Sequence, residues 1–344
     1  MRVFQFSRKS IAFSGNADCP LQAMPVQKGE KILTAKYLGK RLIQMILVAL
    51  GISFLSFLIT YLAPGDPVRT MYAASGVVPS EEVIQQTREA MGLNRPVLVQ
   101  YFDWLTGCLH GDFGTSYAYN NSVSALLLNR LWPTLKLSIF SMILMLLIAV
   151  PLGMIQATHK NSLVDYGLRG LTFFGVSMPN FWVGLLLMLF FCVHLKLLPV
   201  VCSGGDFQSM ILPAVTLAFA MSAKYTRQVR TAILEELSQD YVVGARARGV
   251  KEWKILWLNV FPNSLLPLLT MLGLSLGSLL GGTAVVEVIF TYPGLGNLAV
   301  SAITAYDYPL IQGYVLWISL IYMVVNLLVD ISYNLVDPRT KERR

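Results

Sequence analysis

Asp240-Tyr241-Val242-Val243-Gly244-Ala245-Arg246-Ala247-Arg248-Gly249, followed by Phe261-Pro262-Asn263 and Pro267, interrupts a chain that is otherwise a series of long apolar runs. A polar, arginine-bearing helix, a glycine turn and a second short helix, held between membrane-length segments, read as a docking handle that a soluble partner receives in a groove. Gly249 suits a turn that needs positive φ, and the small side chains of Ala245 and Ala247 permit close backbone approach. The plainer alternative is a solvated loop whose arginines face lipid headgroups.

The runs on either side set the class. Of the 344 residues, 55% are hydrophobic and 13% charged, and the mean hydropathy is +0.58, outside the range of a soluble domain of this length. A hydrocarbon core of roughly 30 Å takes about 20 apolar residues per helix. Runs of that kind occupy 42–63, 135–155, 170–193, a short 210–223, 265–286 and 310–329. Backbone polar groups in lipid must be satisfied within each segment, so the expected fold is an all-α membrane protein with six transmembrane helices.

Twenty-one of the 27 lysines and arginines fall on the N-terminal flank, the 2–3 and 4–5 connections and the C-terminal tail. The positive-inside rule then puts both termini in the cytoplasm of a multi-pass inner or plasma membrane protein, and the net charge of +8 records topology. No single basic face on a soluble domain supports nucleic-acid binding. Cys19, Cys108, Cys192 and Cys202 lack zinc or redox spacing. A disulfide between Cys108 and Cys202, both expected outside, is conceivable. Residues 1–36 are polar and mixed, without the apolar core of a secretory leader, and are expected to form a disordered cytoplasmic extension.

Three features inside or beside the spans carry further expectations. Glu287 ends Gly281-Gly282-Thr283-Ala284-Val285-Val286-Glu287 at the outer end of span five. An ionisable group at that depth faces protein interior or a water-filled path, so Glu287 is a pathway or gate candidate, against a residue that merely fixes the following turn. Ser177-Met178-Pro179-Asn180-Phe181-Trp182 falls within span three, where proline predicts a kink; Ser177 and Asn180 are secondary pathway candidates, the kink itself being the simpler reading. His159 and His194 have no second ligand at helical spacing, so no metal site is expected. No Gly-x-x-x-x-Gly-Lys-Ser/Thr cradle occurs, which leaves ATP binding to another chain.

The remaining strings are Ala63-Pro64-Gly65-Asp66-Pro67, Gly92-Leu93-Asn94-Arg95-Pro96 and Gly111-Asp112-Phe113-Gly114-Thr115-Ser116 in a helical external cap at 64–133. To these add Phe290-Thr291-Tyr292-Pro293-Gly294-Leu295-Gly296, Asp307-Tyr308-Pro309 and Asp337-Pro338-Arg339. With the Ala-x-Ala-x-Gly core at 245–249, they resemble permease subunits of nickel, dipeptide and oligopeptide ABC importers over 37–344. The resemblance implies a type I ABC importer permease fold, no cofactor and no catalysis on this chain. It also implies a heterodimer with a sister permease, two cytoplasmic ABC ATPase subunits, an external solute-binding protein and surrounding membrane lipid.

The resemblance makes 224–262 the coupling segment, with Asp240, Tyr241, Ala245, Arg246, Ala247, Arg248, Gly249, Phe261 and Pro262 toward the ATPase. This chain departs from the wider family pattern at Val243 and Gly244, where glutamate and alanine are usual, so a salt bridge from that glutamate is not carried over. The short 196–209 loop and the Ser177–Trp182 string lean toward the nickel-type subgroup, with nickel crossing as a complex; dipeptides or oligopeptides are the alternative cargo. An ion-coupled secondary transporter also suits six spans and a buried carboxylate, but inverted repeats and midplane charges are not visible.

Overall fold

The computed structural model describes residues 35–63, 65–74, 76–201 and 206–336, and every regular element among them is helical. The first 34 residues, Cys202 and the Asp337-Pro338-Arg339 string lie outside the described residues, so the expectations for the N-terminal extension and for a Cys108–Cys202 disulfide fall largely or wholly there. Cys108 and Cys192 are free thiols.

Among the described residues, four single helices are long and apolar enough to cross a bilayer: α1 (Ala35–Leu62), α5 (Val123–Thr158), α8 (Phe207–Leu237) and α14 (Tyr308–Val336). Counting each of two bent pairs as one span gives six. The first is α6 (Leu163–Ser177) with α7 (Asn180–Met188) and the π-helical turn Leu189–His194, bent by 96°. The second runs from α10 (Glu252–Lys254) through the π-helical turn Ile255–Val260 into α11 (Phe261–Gly282), bending by 47° where Pro267 removes a helical hydrogen bond.

The third span therefore differs from a simple kink. Met178 and Pro179 are both extended, at ψ 132° and 133°; the proline drives Met178 before it out of the α region. Pro179 then opens α7, and its carbonyl accepts from Trp182 N. The fourth span also differs, since α8 runs to Leu237, well past the apolar run. Its polar half stays helical because Val229, Ala232 and Ile233 pack inward.

α8 is the hub, packed against α5, α6, α7 and α11. Lipid tails are as apolar as leucine, so helix association depends on close fit rather than burial. At Gly153 on α5, a Cβ would stand 2.6 Å from Val229 Cβ on α8. Gly277 on α11 similarly admits the Tyr322 ring of α14. Arg41 and Asp330, 2.6 Å apart, join α1 to α14.

The expected cap at 64–133 comprises α2 (Pro67–Ala74), α3 (Glu81–Ala90), α4 (Val97–Leu109), the Thr115–Ser122 bridge and the opening turns of α5. Asp66 holds it together, accepting from Arg88 at 2.5 Å and from Val68 N at 3.1 Å. We call this the cap end of the bundle, and the end carrying 224–262 the basic end. The hairpin of α12 (Ala284–Ile289) and α13 (Leu295–Thr304) completes the cap end, and α9 (Asp240–Ala247) the basic end.

Candidate functional site

At the basic end, α9 stops in a Schellman turn. Val250 N donates to Ala245 O at 3.2 Å and Gly249 N to Arg246 O at 2.9 Å, with Gly249 at φ +74°. Glycine fills that position without strain, as the sequence implies. Val242 and Ala245 face inward, packing with Ile233, Ile255 and Val260, so the close approach that Ala245 permits is to this chain's own α8 and π-helical turn. Phe261 packs on the same cluster, and Pro262 is exposed in the first turn of α11.

The other face of the loop is open. Asp240, Tyr241, Val243, Arg246, Ala247, Arg248 and Gly249 are exposed, as is Trp253. Tyr241 donates to Glu236 at 2.7 Å and Arg246 forks onto Glu252 at 2.7 and 3.2 Å, bracing the turn from both sides. The Glu252 carboxylate holds the Arg246 guanidinium pKa above its ordinary value. Arg248 makes no ion pair with any described residue. Where the common pattern has glutamate, Val243 offers an exposed apolar side chain.

At the cap end, Glu287 is fully buried. Its carboxylate accepts from Thr134 Oγ1 at 2.9 Å, Thr283 Oγ1 at 3.0 Å and Asn297 N at 3.0 Å. Leu295 N donates in turn to Thr134 Oγ1 at 2.8 Å. These two amides belong to the first turn of α13, whose N-cap residue, Gly294, has no side chain to supply. Glu287 and Thr134 therefore cap α13 from other helices, and the negative charge sits against the positive end of its dipole. A Cβ at Gly294 would overlap the carboxylate. Tyr292 OH, donating to Pro133 O at 3.1 Å, adds a second tie between hairpin and α5.

Ser177 and Asn180 lie apart from Glu287, both exposed at the break in the third span; Ser177 donates to Phe173 O at 2.9 Å. Two buried carboxylates escape the sequence reading. Asp307 caps α14, accepting from Leu310 N at 3.3 Å, and also takes Ser116 Oγ at 2.5 Å and Ala118 N at 3.0 Å. The strings Gly111–Ser116 and Asp307–Pro309 thus meet. Asp165, on α6, is forked by Arg169 (3.0 and 2.5 Å) and Arg230 (3.0 and 3.0 Å) and accepts from Asn161 N. The capping pattern Ser162-x-x-Asp165 signals the helix start, with Asp165 N donating to Ser162 Oγ, but nothing local announces Arg230.

Up to six membrane-length segments, a helical cap and a braced polar knob between the fourth and fifth spans are the architecture of a multi-pass membrane protein. Residues 149–342 match the binding-protein-dependent transport system inner membrane component family, and 34–138 match its N-terminal component. The chain belongs to this family. It is 41% identical over 318 residues to the oligopeptide transport system permease protein AppB of Bacillus subtilis, covering 89% of this chain and 99% of that one. It is 35% identical to the probable D,D-dipeptide transport system permease protein DdpB of Escherichia coli, covering 86% and 94%. It is likewise 35% identical to the metal-staphylopine import system permease protein CntB of Staphylococcus aureus, covering 89% and 98%. The fold is shared with an inward-facing MetNI methionine ABC transporter structure, at TM-score 0.54 and 17% identity over 61% of this chain and 96% of that one.

Proposed function

We propose that this chain is the membrane permease subunit of an ATP-driven importer whose cargo is of the short-peptide class. Both termini and the 224–262 segment lie in the cytoplasm, and the α2–α4 cap lies outside. The observation that carries this reading is the coupling knob: inwardly it is packed and hydrogen-bonded to its own bundle, while Val243, Arg248 and Trp253 are left exposed for an ATPase groove. ATP-driven closure of two ATPases rocks α9 and switches the permease pair between two states, the sister permease forming the other half. The relatives' oligopeptide, D,D-dipeptide and metal-staphylopine cargoes support small amide- and carboxylate-bearing solutes delivered by an external binding protein.

Glu287 serves the gate by holding the α12–α13 hairpin to α5, and Ser177 and Asn180 border the path at the broken third span. A second reading, nickel carried as a complex, is favoured by the Ser177–Trp182 string and the short 196–209 loop. Uptake assays on a strain lacking this gene separate the two. Loss of radiolabelled trialanine uptake with nickel accumulation spared supports peptides, and the converse supports the nickel complex. Disulfide crosslinking from Ala247→Cys to a cysteine in the ATPase groove tests the docking directly; failure across a full scan of groove positions sinks it.

A further inference from the structure

A cavity of about 740 Å³ lies under the cap helices, and a second of about 530 Å³ opens at the basic end between α5, α8 and α11. The second contains an anomaly. Gln156 is 0% exposed, yet neither its amide nitrogen nor its amide oxygen has a partner, and Gln228 Oε1 beside it is buried and unpaired as well. An amide shut away from water without a partner is costly, so this one calls for a partner that the described residues do not supply.

The charge around it is net positive. Arg169, Arg227 and Arg230 line the cavity, opposed by Glu235 in the lining and Asp165 behind it, so three positive charges face two negative. Asp165 occupies the forks of Arg169 and Arg230, whereas Arg227 forms no ion pair with any described residue. A bare divalent cation is repelled here. A carboxylate is attracted, and a guanidinium fork fits it in a bidentate way.

We propose that this cavity receives the carboxylate end of an amide-bearing cargo on its way through the permease, with Arg227 taking the carboxylate and Gln156 and Gln228 pairing with an adjacent amide. A glutamine offers two donors and an acceptor, which matches the N–H and C=O of a peptide unit. The inference rests on the importer reading and narrows it, since metal can cross this region only within an anionic chelate.

The test uses the complete transport complex in phosphatidylcholine vesicles, carrying Thr231→Cys in the cavity wall with the four native cysteines changed to alanine. A sulfonate-bearing thiol reagent should react about tenfold faster than its trimethylammonium counterpart, as expected for a focused positive potential. Arg227→Glu should abolish that preference and Arg227→Lys should retain it. Trialanine should remove most of the labelling rate and trialanine amide should not, while Gln156→Ala should lose the protection yet keep the charge preference.

Equal labelling by both reagents, or equal protection by the peptide and its amide, overturns the assignment. So does protection by phosphatidylglycerol in the vesicles in place of trialanine, which would make the cavity a lipid headgroup site. Cellular uptake of trialanine is measured alongside. Uptake without protection removes the cavity assignment alone, and no uptake removes the peptide reading beneath it.

Discussion

The two ends of the bundle differ in the buried polar groups they leave unpaired: indole nitrogens of Trp104 and Trp317 toward the cap end, side-chain amide atoms at the basic end. At the cap end the buried carboxylates of Glu287 and Asp307 are fully engaged, and the helix amides they accept from would otherwise lack partners. At the basic end the Gln156 amide and the Gln228 carbonyl oxygen are buried without partners, and Arg248 and Val243 are exposed. A buried carboxylate with its partners in place specifies one arrangement of its own helices, whereas an unpaired buried amide leaves hydrogen-bonding capacity unused. Substitutions at the cap end should therefore be felt mainly as stability, and those at the basic end mainly as transport.

The sharpest break of that contrast is Glu287→Ala, which strands two threonine hydroxyls and an α13 amide at about 1–3 kcal/mol each. Its unfolding midpoint in detergent should fall far below that of any basic-end variant, and an unchanged midpoint would contradict the capping role. Asp307→Ala removes an N-cap and the tie to Ser116, for about 0.5–2 kcal/mol from the cap alone, read in the same assay. Gly249→Val should cost roughly 1–2 kcal/mol of local backbone strain. Membrane levels should be preserved and uptake lost, while Gly249→Asn, which tolerates positive φ, keeps most uptake; normal uptake by the valine variant would refute the docking assignment.

Smaller still is the Arg246–Glu252 fork, whose partners are 45% and 66% exposed. A double-mutant cycle should give about 0.5 kcal/mol, and a coupling several times larger would mean the pair is shielded. Least visible at neutral pH is Cys108, pushed up to about 12 by burial, with the nearby Asp112 charge adding to it. Raising the pKa depletes the reactive thiolate below it, so labelling by an impermeant thiol reagent should be slow at neutrality. The rate should climb about tenfold per pH unit until that pKa is approached; a rate independent of pH would show that Cys108 is not in this environment.

Much of the fold was legible because a span is written locally. The runs 135–155 and 310–329 lie within α5 and α14, 42–63 overruns α1 by one residue, and the 245–249 pattern became a Schellman turn at Gly249. The run at 210–223 understated α8, since residues beyond Ala223 are kept helical by packing and by Arg230 reaching Asp165, 65 positions away. Glu287 stood out by its depth, but Thr134, which pairs with it across 153 positions, had no signal of its own. Asp307 was visible only as part of a string, and its second partner, Ser116, lies 191 positions upstream. Helices are fixed by neighbours in sequence; the polar network that registers one helix against another is not.

α8 has a mechanical consequence. Beyond Pro213 it continues without interruption to Leu237, roughly 36 Å at 1.5 Å per residue, and α9 is attached at its end. A beam of that length, packed along its flanks and loaded at one tip, converts a tilt of a few degrees into a sweep of ångströms at the other. The adjoining α6–α7 segment, broken by 96°, has no such continuous length, so α8 is the one stiff member at this side of the bundle that runs on to α9.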